Sequence, residues 1–210
     1  MFNNLKRILI IAPHADDAEL GCGGTIARLI GEKKELFLAT FSVAEKNGNQ
    51  DEVRKEEQLK SAKILGIRDK NLILYKYPIR RFSDYSHEIR DVLFILNKKI
   101  RPDVVFLPAR NDVHQDHEVI FKEGLRVFKH NTFLCYEFPW NNYKFFGQFF
   151  VELRGRDISK KIQALRSYKS QGEKVFMDSD IILNYSKLRG VQAGLPFAEA
   201  FEIVRIKYNL

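Results

Sequence analysis

Two short stretches set imidazoles beside carboxylates, Pro13-His14-Ala15-Asp16-Asp17 near the start and His114-Gln115-Asp116-His117 past the midpoint. They hold three of the chain's five histidines. Two imidazoles and one carboxylate make a common three-ligand catalytic zinc site that leaves one position for water. Metal binding brings the pKa of that water to around neutrality and polarises a carbonyl. Adjacent side chains in an extended loop diverge, so one of Asp16 and Asp17 can ligate while the other acts as general base, and the spacing leaves open which does which. A further histidine is then free to stabilise a developing oxyanion or to protonate a leaving amine. The chemistry this set suits is metal-assisted amide hydrolysis.

These residues must be positioned by the elements around them. Apolar runs at 5–12, 35–43, 71–75, 103–108 and 132–138 have the length of strands buried on both faces. Helical periods lie between them, at 20–30, at 51–65 ending on Gly66, in the stripe Ile89, Val92, Leu93, Leu96 and Ile100, and from about Asp116 onward. The alternation predicts an α/β fold of the Rossmann-like, doubly wound class, a mostly parallel sheet with helices on both faces. Ligands bind such sheets beyond the carboxyl ends of the strands, where both stretches fall. The two loops would share one crevice if the first and fourth strands were neighbours at the point where strand order reverses. Toward the end, 157–168 reads as helix, 187–196 as loop and 199–208 as a closing strand.

Length and composition set bounds. The 210 residues, 45% hydrophobic and 12% aromatic, exclude a disordered or collagenous chain and predict one domain over 1–210. Its part from about 138 onward is expected to supply walls of the substrate site or an interface. Two cysteines, Cys22 and Cys135, are too few for a disulfide framework, and the first apolar run is too short for a signal segment or a membrane span. The expectation is a cytoplasmic protein without a membrane span. A net charge of +8 leaves acidic partners open. Taken alone, Asp16 and Asp17 are ordinary for a helix N-cap and first turn, and His117 on an apolar helical face for a core histidine. Gly21-Cys22-Gly23-Gly24 matches neither GxGxxG nor a P-loop, so close helix packing is the better reading, with Cys22 as buried filler.

The stretch Ala12-Pro13-His14-Ala15-Asp16-Asp17-Ala18-Glu19-Leu20-Gly21-Cys22-Gly23-Gly24-Thr25, with His114-Gln115-Asp116-His117 downstream, resembles the PIG-L/LmbE-like de-N-acetylases. The similarity extends to Arg54 with Ala62 and Leu65-Gly66, and weakly to Ala198-Glu199-Ala200-Phe201. The resemblance implies a zinc-dependent enzyme that removes acetyl groups from N-acetylglucosamine conjugates. By position it makes His14, Asp17 and His117 the ligands of Zn2+, with Fe2+ able to occupy such sites, and Asp16 the general base. It makes His114 the electrophilic or general-acid histidine, Asp116 the residue that orients and charges it, and Arg54 a contact on the substrate side. It also implies a homo-oligomer. Ala15 and Gln115 stand where the family usually has proline, so both loops lose a residue that fixes φ, which predicts looser loops.

Substrate identity should lie in the less similar parts. The aromatic and amide-rich segment 138–150 suits sugar faces and hydroxyls, and equally a core or an interface. Basic residues at 76–81 together with Arg54 favour a phosphate-bearing small-molecule sugar conjugate, such as a nucleotide sugar or glycan precursor. Two other readings compete, a zinc hydrolase of a non-sugar amide and a non-enzymatic nucleotide-binding Rossmann-like module. No nucleic-acid motif is present, and a binding module has no need of so many ligand-type residues in two loops.

Overall fold

Strand β1 (Arg7–His14) carries apolar side chains alternately to the two faces of the sheet, and every residue from Ile8 to Pro13 is buried. The computed structural model describes residues 5–43 and 51–207. In chain order β1 is followed by α1 (Asp17–Gly31), β2 (Glu35–Ser42), α2 (Asp51–Leu65), β3 (Leu72–Leu74), α3 (Ser86–Ile100), β4 (Val104–Pro108), α4 (Gln115–Val127), β5 (Thr132–Tyr136), β6 (Phe149–Glu152), α5 (Gly155–Leu165), α6 (Ser179–Ala193) and β7 (Ala198–Arg205). The sheet order is β3-β2-β1-β4-β5-β7-β6. The first five of these strands are parallel, and β7 runs antiparallel to β5 and β6. Strand order reverses between β1 and β4, which pair directly, so the predicted doubly wound sheet and its single crevice are both present.

The alternation along β1 builds two cores. Ile8, Ile10 and Ala12 face Ala18, Cys22, Ile26 and Leu29 of α1, while Leu9 and Ile11 face Ile89, Leu93, Leu96 and Ile100 of α3 and Ile120 of α4. Fully burying each Leu or Ile contributes about 1.5–3 kcal/mol, which holds both loop ends of the crevice on rigid elements. Helix α1 comes close to β5 because Gly21 has no Cβ; one there would run into the Tyr136 ring, whose hydroxyl donates to Ile11 O at 2.8 Å. The helix kinks at Cys22 (φ −149°, ψ 25°). Just past the kink Glu199 of β7 accepts from the Gly24 and Thr25 N–H groups at 3.0 and 2.6 Å, and Lys161 Nζ pairs with Glu199 at 2.7 Å.

The glycine run therefore packs helix against sheet, as read from sequence, though α1 starts at Asp17 rather than Leu20. One expectation fails. Residues 187–193, read as loop, are the last turns of α6. Apolar residues scatter around that helix instead of forming a stripe, with Ile181, Leu188 and Val191 exposed. Its signals are at the ends, where Asp178 Oδ1 accepts from the Asp180 and Ile181 N–H groups and Gly194 (φ 69°) closes the helix. The closing strand is β7, and residue 208 lies outside the described residues. Among the described residues no helix is long and apolar enough to cross a membrane.

Candidate metal centre and active site

His14 ends β1 and Asp17 begins α1, while His114 is the N-cap of α4 and His117 lies in its first turn. The single residue pair between strand and helix, Ala15-Asp16, makes the turn sharp, and Asp16 has a φ of 89°. A non-glycine residue there is strained, a conformation that tends to persist at functional sites. Asp16 occupies the N-cap position without capping, for its carboxylate meets the Arg54 guanidinium at 3.1 Å. Ala15, in place of the family's proline, donates its N–H to Ser42 O at 3.1 Å. Proline could not make that bond, so the loop is tied by a hydrogen bond in place of a fixed φ. Gln115 is the first residue of α4, where a missing proline removes only a preference for the helix start.

Three potential ligand atoms form a triangle. Asp17 Oδ2 lies 3.1 Å from His14 Nδ1 and 3.2 Å from His117 Nε2, and the two nitrogens are 3.3 Å apart. Tetrahedral ligands about 2.0–2.1 Å from a zinc ion stand about 3.3–3.4 Å from one another, so the triangle fits such an ion with little adjustment. The outward nitrogens are held by carboxylates: His14 Nε2 lies 2.9 Å from Asp116 Oδ2, and His117 Nδ1 lies 2.7 Å from Asp112 Oδ2. An outward N–H donated to each carboxylate leaves the inward nitrogens as lone pairs, facing each other and a carboxylate oxygen. Three electron-pair donors converging in this way call for a cation.

The electrostatics agree. Burial opposes charge on His117, but Asp17 and Asp112 outweigh it and push its pKa up to about 10. His14 is likewise raised against burial by Asp116 and Asp17. Burial also works against the charge of Asp17, yet His117 and His14 hold its carboxyl well below the usual range. Without a metal, protons take the cation's place between these groups.

A third imidazole is close by. His14, His114 and His117 each bring one ring nitrogen within 4.8 Å of the others. His114, however, accepts the Asp116 backbone N–H at Nδ1 (3.2 Å), which leaves its remaining proton on Nε2 and removes the lone pair that a ligand would need. Burial first, then the neighbouring His117 and His14, lower its pKa to about 4, so His114 is neutral at neutral pH. It presents an N–H donor to a cleft of about 500 Å³ that His14, Asp16, Asp17, Arg54 and His117 also line. In that cleft burial raises the Asp16 pKa, and the Arg54 charge holds it back.

The structure thus gathers His14, Asp16, Asp17, Arg54, His114, Asp116 and His117 around one crevice. Two placements differ from expectation. The Asp116 carboxylate does not touch the His114 ring; it meets His14 and accepts the N–H groups of Arg80 (2.6 Å) and Phe82 (3.2 Å). It reaches His14 because that ring extends from β1, the strand beside β4. The Arg54 guanidinium binds Ala15 O at 2.5 Å as well as Asp16 and stacks over Tyr168, so it braces the turn that carries Asp16. Sequence reasoning missed Asp112, buried and bonded to His117. An acidic residue five positions before a metal-type histidine was the available signal, but loop aspartates are common at helix entries. Cys22 and Cys135 are buried, and their thiol pKa values are pushed well up by that burial.

A family model described as GlcNAc-PI de-N-acetylase, PIG-L, matches residues 9–128, more than half of the chain, with the triangle residues and His114, Asp16, Arg54, Asp112 and Asp116 all inside it. The chain belongs to the PIG-L family. Among PIG-L relatives it is 30% identical over 175 residues to an uncharacterized deacetylase, YaiS, of Escherichia coli K12, covering 80% of this chain and 93% of that one. It is 28% identical to the diacetylchitobiose deacetylase of Thermococcus kodakarensis, covering 81% of this chain and 72% of that one. In fold it is similar to the inhibitor-bound N,N'-diacetylchitobiose deacetylase of Pyrococcus horikoshii, with a TM-score of 0.77 and 21% identity over 97% of this chain and 85% of that chain.

Proposed function

We propose that this PIG-L family member is a metal-dependent deacetylase that hydrolyses the acetamide of an N-acetylglucosamine-type sugar conjugate. The observation that carries the reading is the triangle of Asp17 Oδ2, His14 Nδ1 and His117 Nε2, flanked by one carboxylate outside the triangle and one neutral imidazole. Two nitrogens and a carboxylate oxygen are a donor set that zinc takes readily and iron(II) also accepts. An ion held there supplies Lewis acidity and makes water a better nucleophile at neutral pH.

The chain's own residues do the rest. Asp16 accepts a proton from the attacking water, and its raised pKa brings it closer to the working pH of a general base. The His114 Nε2–H donates to the carbonyl oxygen as negative charge develops on it. A histidine with a pKa of about 4 carries no spare proton at neutral pH, which favours this oxyanion role over protonation of the leaving amine. Asp16 then returns its proton to the departing nitrogen, giving acetate and a free sugar amine. Arg54 keeps the Asp16 carboxylate aimed and charged, and Asp112 and Asp116 fix the tautomers of the two ligand histidines.

The sugar class draws on the Thermococcus relative, a diacetylchitobiose deacetylase. The cleft suits a sugar of this kind, for Asn141 and Gln171 offer amides and Trp140 a ring face, while Arg80 and Lys174 at its rim favour an anionic conjugate. Elemental analysis of protein purified without chelator, beside amine release from N-acetylglucosamine, diacetylchitobiose and phosphorylated or nucleotide-linked N-acetylglucosamine, tests the proposal. Stoichiometric metal with amine release is the expected result. Metal without release from any member points to a non-sugar amide, and no metal uptake on reconstitution overturns the enzyme reading.

A further inference from the structure

Behind the catalytic cleft lies a second cavity of about 120 Å³ between α1, α6 and β7. Leu20, Trp140 and Phe176 line both spaces, so the two share a wall. That wall is aromatic. Phe138 packs on the His117 ring (centroids 5.2 Å apart) and on Trp140 (5.5 Å), and Trp140 stacks on Phe176 at 4.5 Å. A line of rings therefore leads from a metal-site histidine to the inner cavity.

The inner cavity is mainly apolar, and the polar side chains that line it have partners of their own. Its charged groups are already matched in pairs, Lys161 with Glu199 and Arg189 with Glu137. The Tyr185 hydroxyl accepts from Arg189, and the Ser186 hydroxyl donates to Ile182 O. What remains exposed to the space is the aliphatic surface of Leu20, Ile181, Ile182, Ala198 and Ala200. Dry apolar cavities of roughly this size hold a ring or a short hydrocarbon chain.

We infer that this cavity is a specificity pocket for an apolar substituent of about four to six carbon atoms on the sugar substrate, entering past the Trp140–Phe176 pair. The inference rests on the cleft being the substrate site as proposed above. Such a substituent has two sources, the N-acyl chain itself or an apolar aglycone, and chain-length series separate them.

Trp140 is the chain's single tryptophan, so its emission reports directly on this wall. Binding is measured by that emission in metal-loaded Asp16→Asn protein, which keeps the amide intact. One series is glucosamine with N-acetyl, N-butanoyl and N-hexanoyl groups, and the other is N-acetylglucosamine as methyl, butyl and hexyl glycosides. At about 0.8 kcal/mol per buried methylene, lengthening in one series tightens binding at least about tenfold. A gain in the acyl series assigns the pocket to the acyl chain, and a gain in the glycoside series assigns it to the aglycone. Ser186→Leu places extra carbon atoms in the space and abolishes the gain. If that variant does not fold, Ile182→Ala widens the same pocket and moves the best chain length upward. Flat affinity in both series overturns the inference, as does a gain that survives in folded Ser186→Leu protein. Tightening without amine release by unsubstituted protein keeps the pocket and removes deacetylation, whereas release without any length dependence does the reverse.

Discussion

One oxygen of Asp112 lies 2.7 Å from His117 Nδ1, while its other oxygen accepts the His114 backbone N–H at 2.8 Å. A single buried carboxylate thus sets the ring of a candidate ligand and the entry of the helix that carries it. Asp112→Ala is expected to weaken metal binding about 10- to 100-fold, measured by competition with a chromophoric chelator. Unchanged affinity would remove Asp112 from the metal centre.

Asp16 lies outside the triangle. Asp16→Asn should therefore keep full metal content and lose about 10²- to 10⁴-fold in kcat, read by elemental analysis beside amine release. Full activity in this variant would give the base role to another group.

Arg54 acts on the same carboxylate. Its charge lowers the Asp16 pKa, so Arg54→Met lets that pKa rise further. A general base works deprotonated, and activity climbs with pH through its pKa, so the acid limb of kcat/KM moves to higher pH in the variant. A rise in KM with an unmoved limb would return Arg54 to direct substrate contact.

His114→Ala should lower kcat about 10²- to 10³-fold while metal content stays near that of the parent chain. Parallel loss of metal and turnover would make His114 a ligand.

Metal uptake should release protons at neutral pH, because His117 holds one with a pKa of about 10 and His14 is raised as well. Proton and metal compete for the same nitrogens, so apparent affinity increases as pH rises toward 10, by up to about tenfold per unit for each proton displaced. Calorimetry in buffers of different ionisation enthalpy counts those protons.

The sheet was legible because β1, β2, β4 and β5 are apolar on both faces, a pattern that survives without knowledge of neighbours. The candidate ligands were legible because imidazoles grouped with carboxylates in two separate strand-to-helix loops are scarce, though aspartates alone are common there. Asp116 and Arg54 were legible as members of the site but not in their contacts, since those depend on which ring crosses from β1 to meet α4 and on a turn at Asp16 with positive φ. The late turns of α6 escaped because its apolar residues follow no stripe. Asp112 lies only five positions before His117, but an aspartate at a helix entry is too common to single out, whereas the inner cavity is a product of packing between distant segments and local spacing carries no trace of it.

His14 and His117 stand 103 positions apart in the chain and meet only because β4 docks directly against β1. During synthesis the ribosome must therefore release both strands and the start of α4 before any complete binding triangle exists. Fragments ending short of residue 117 lack one of the three donors, and an ion held by the triangle would favour the finished sheet over partly assembled ones. Metal loading of a purified sample would for this reason also measure how much of it has completed the central strand pairing.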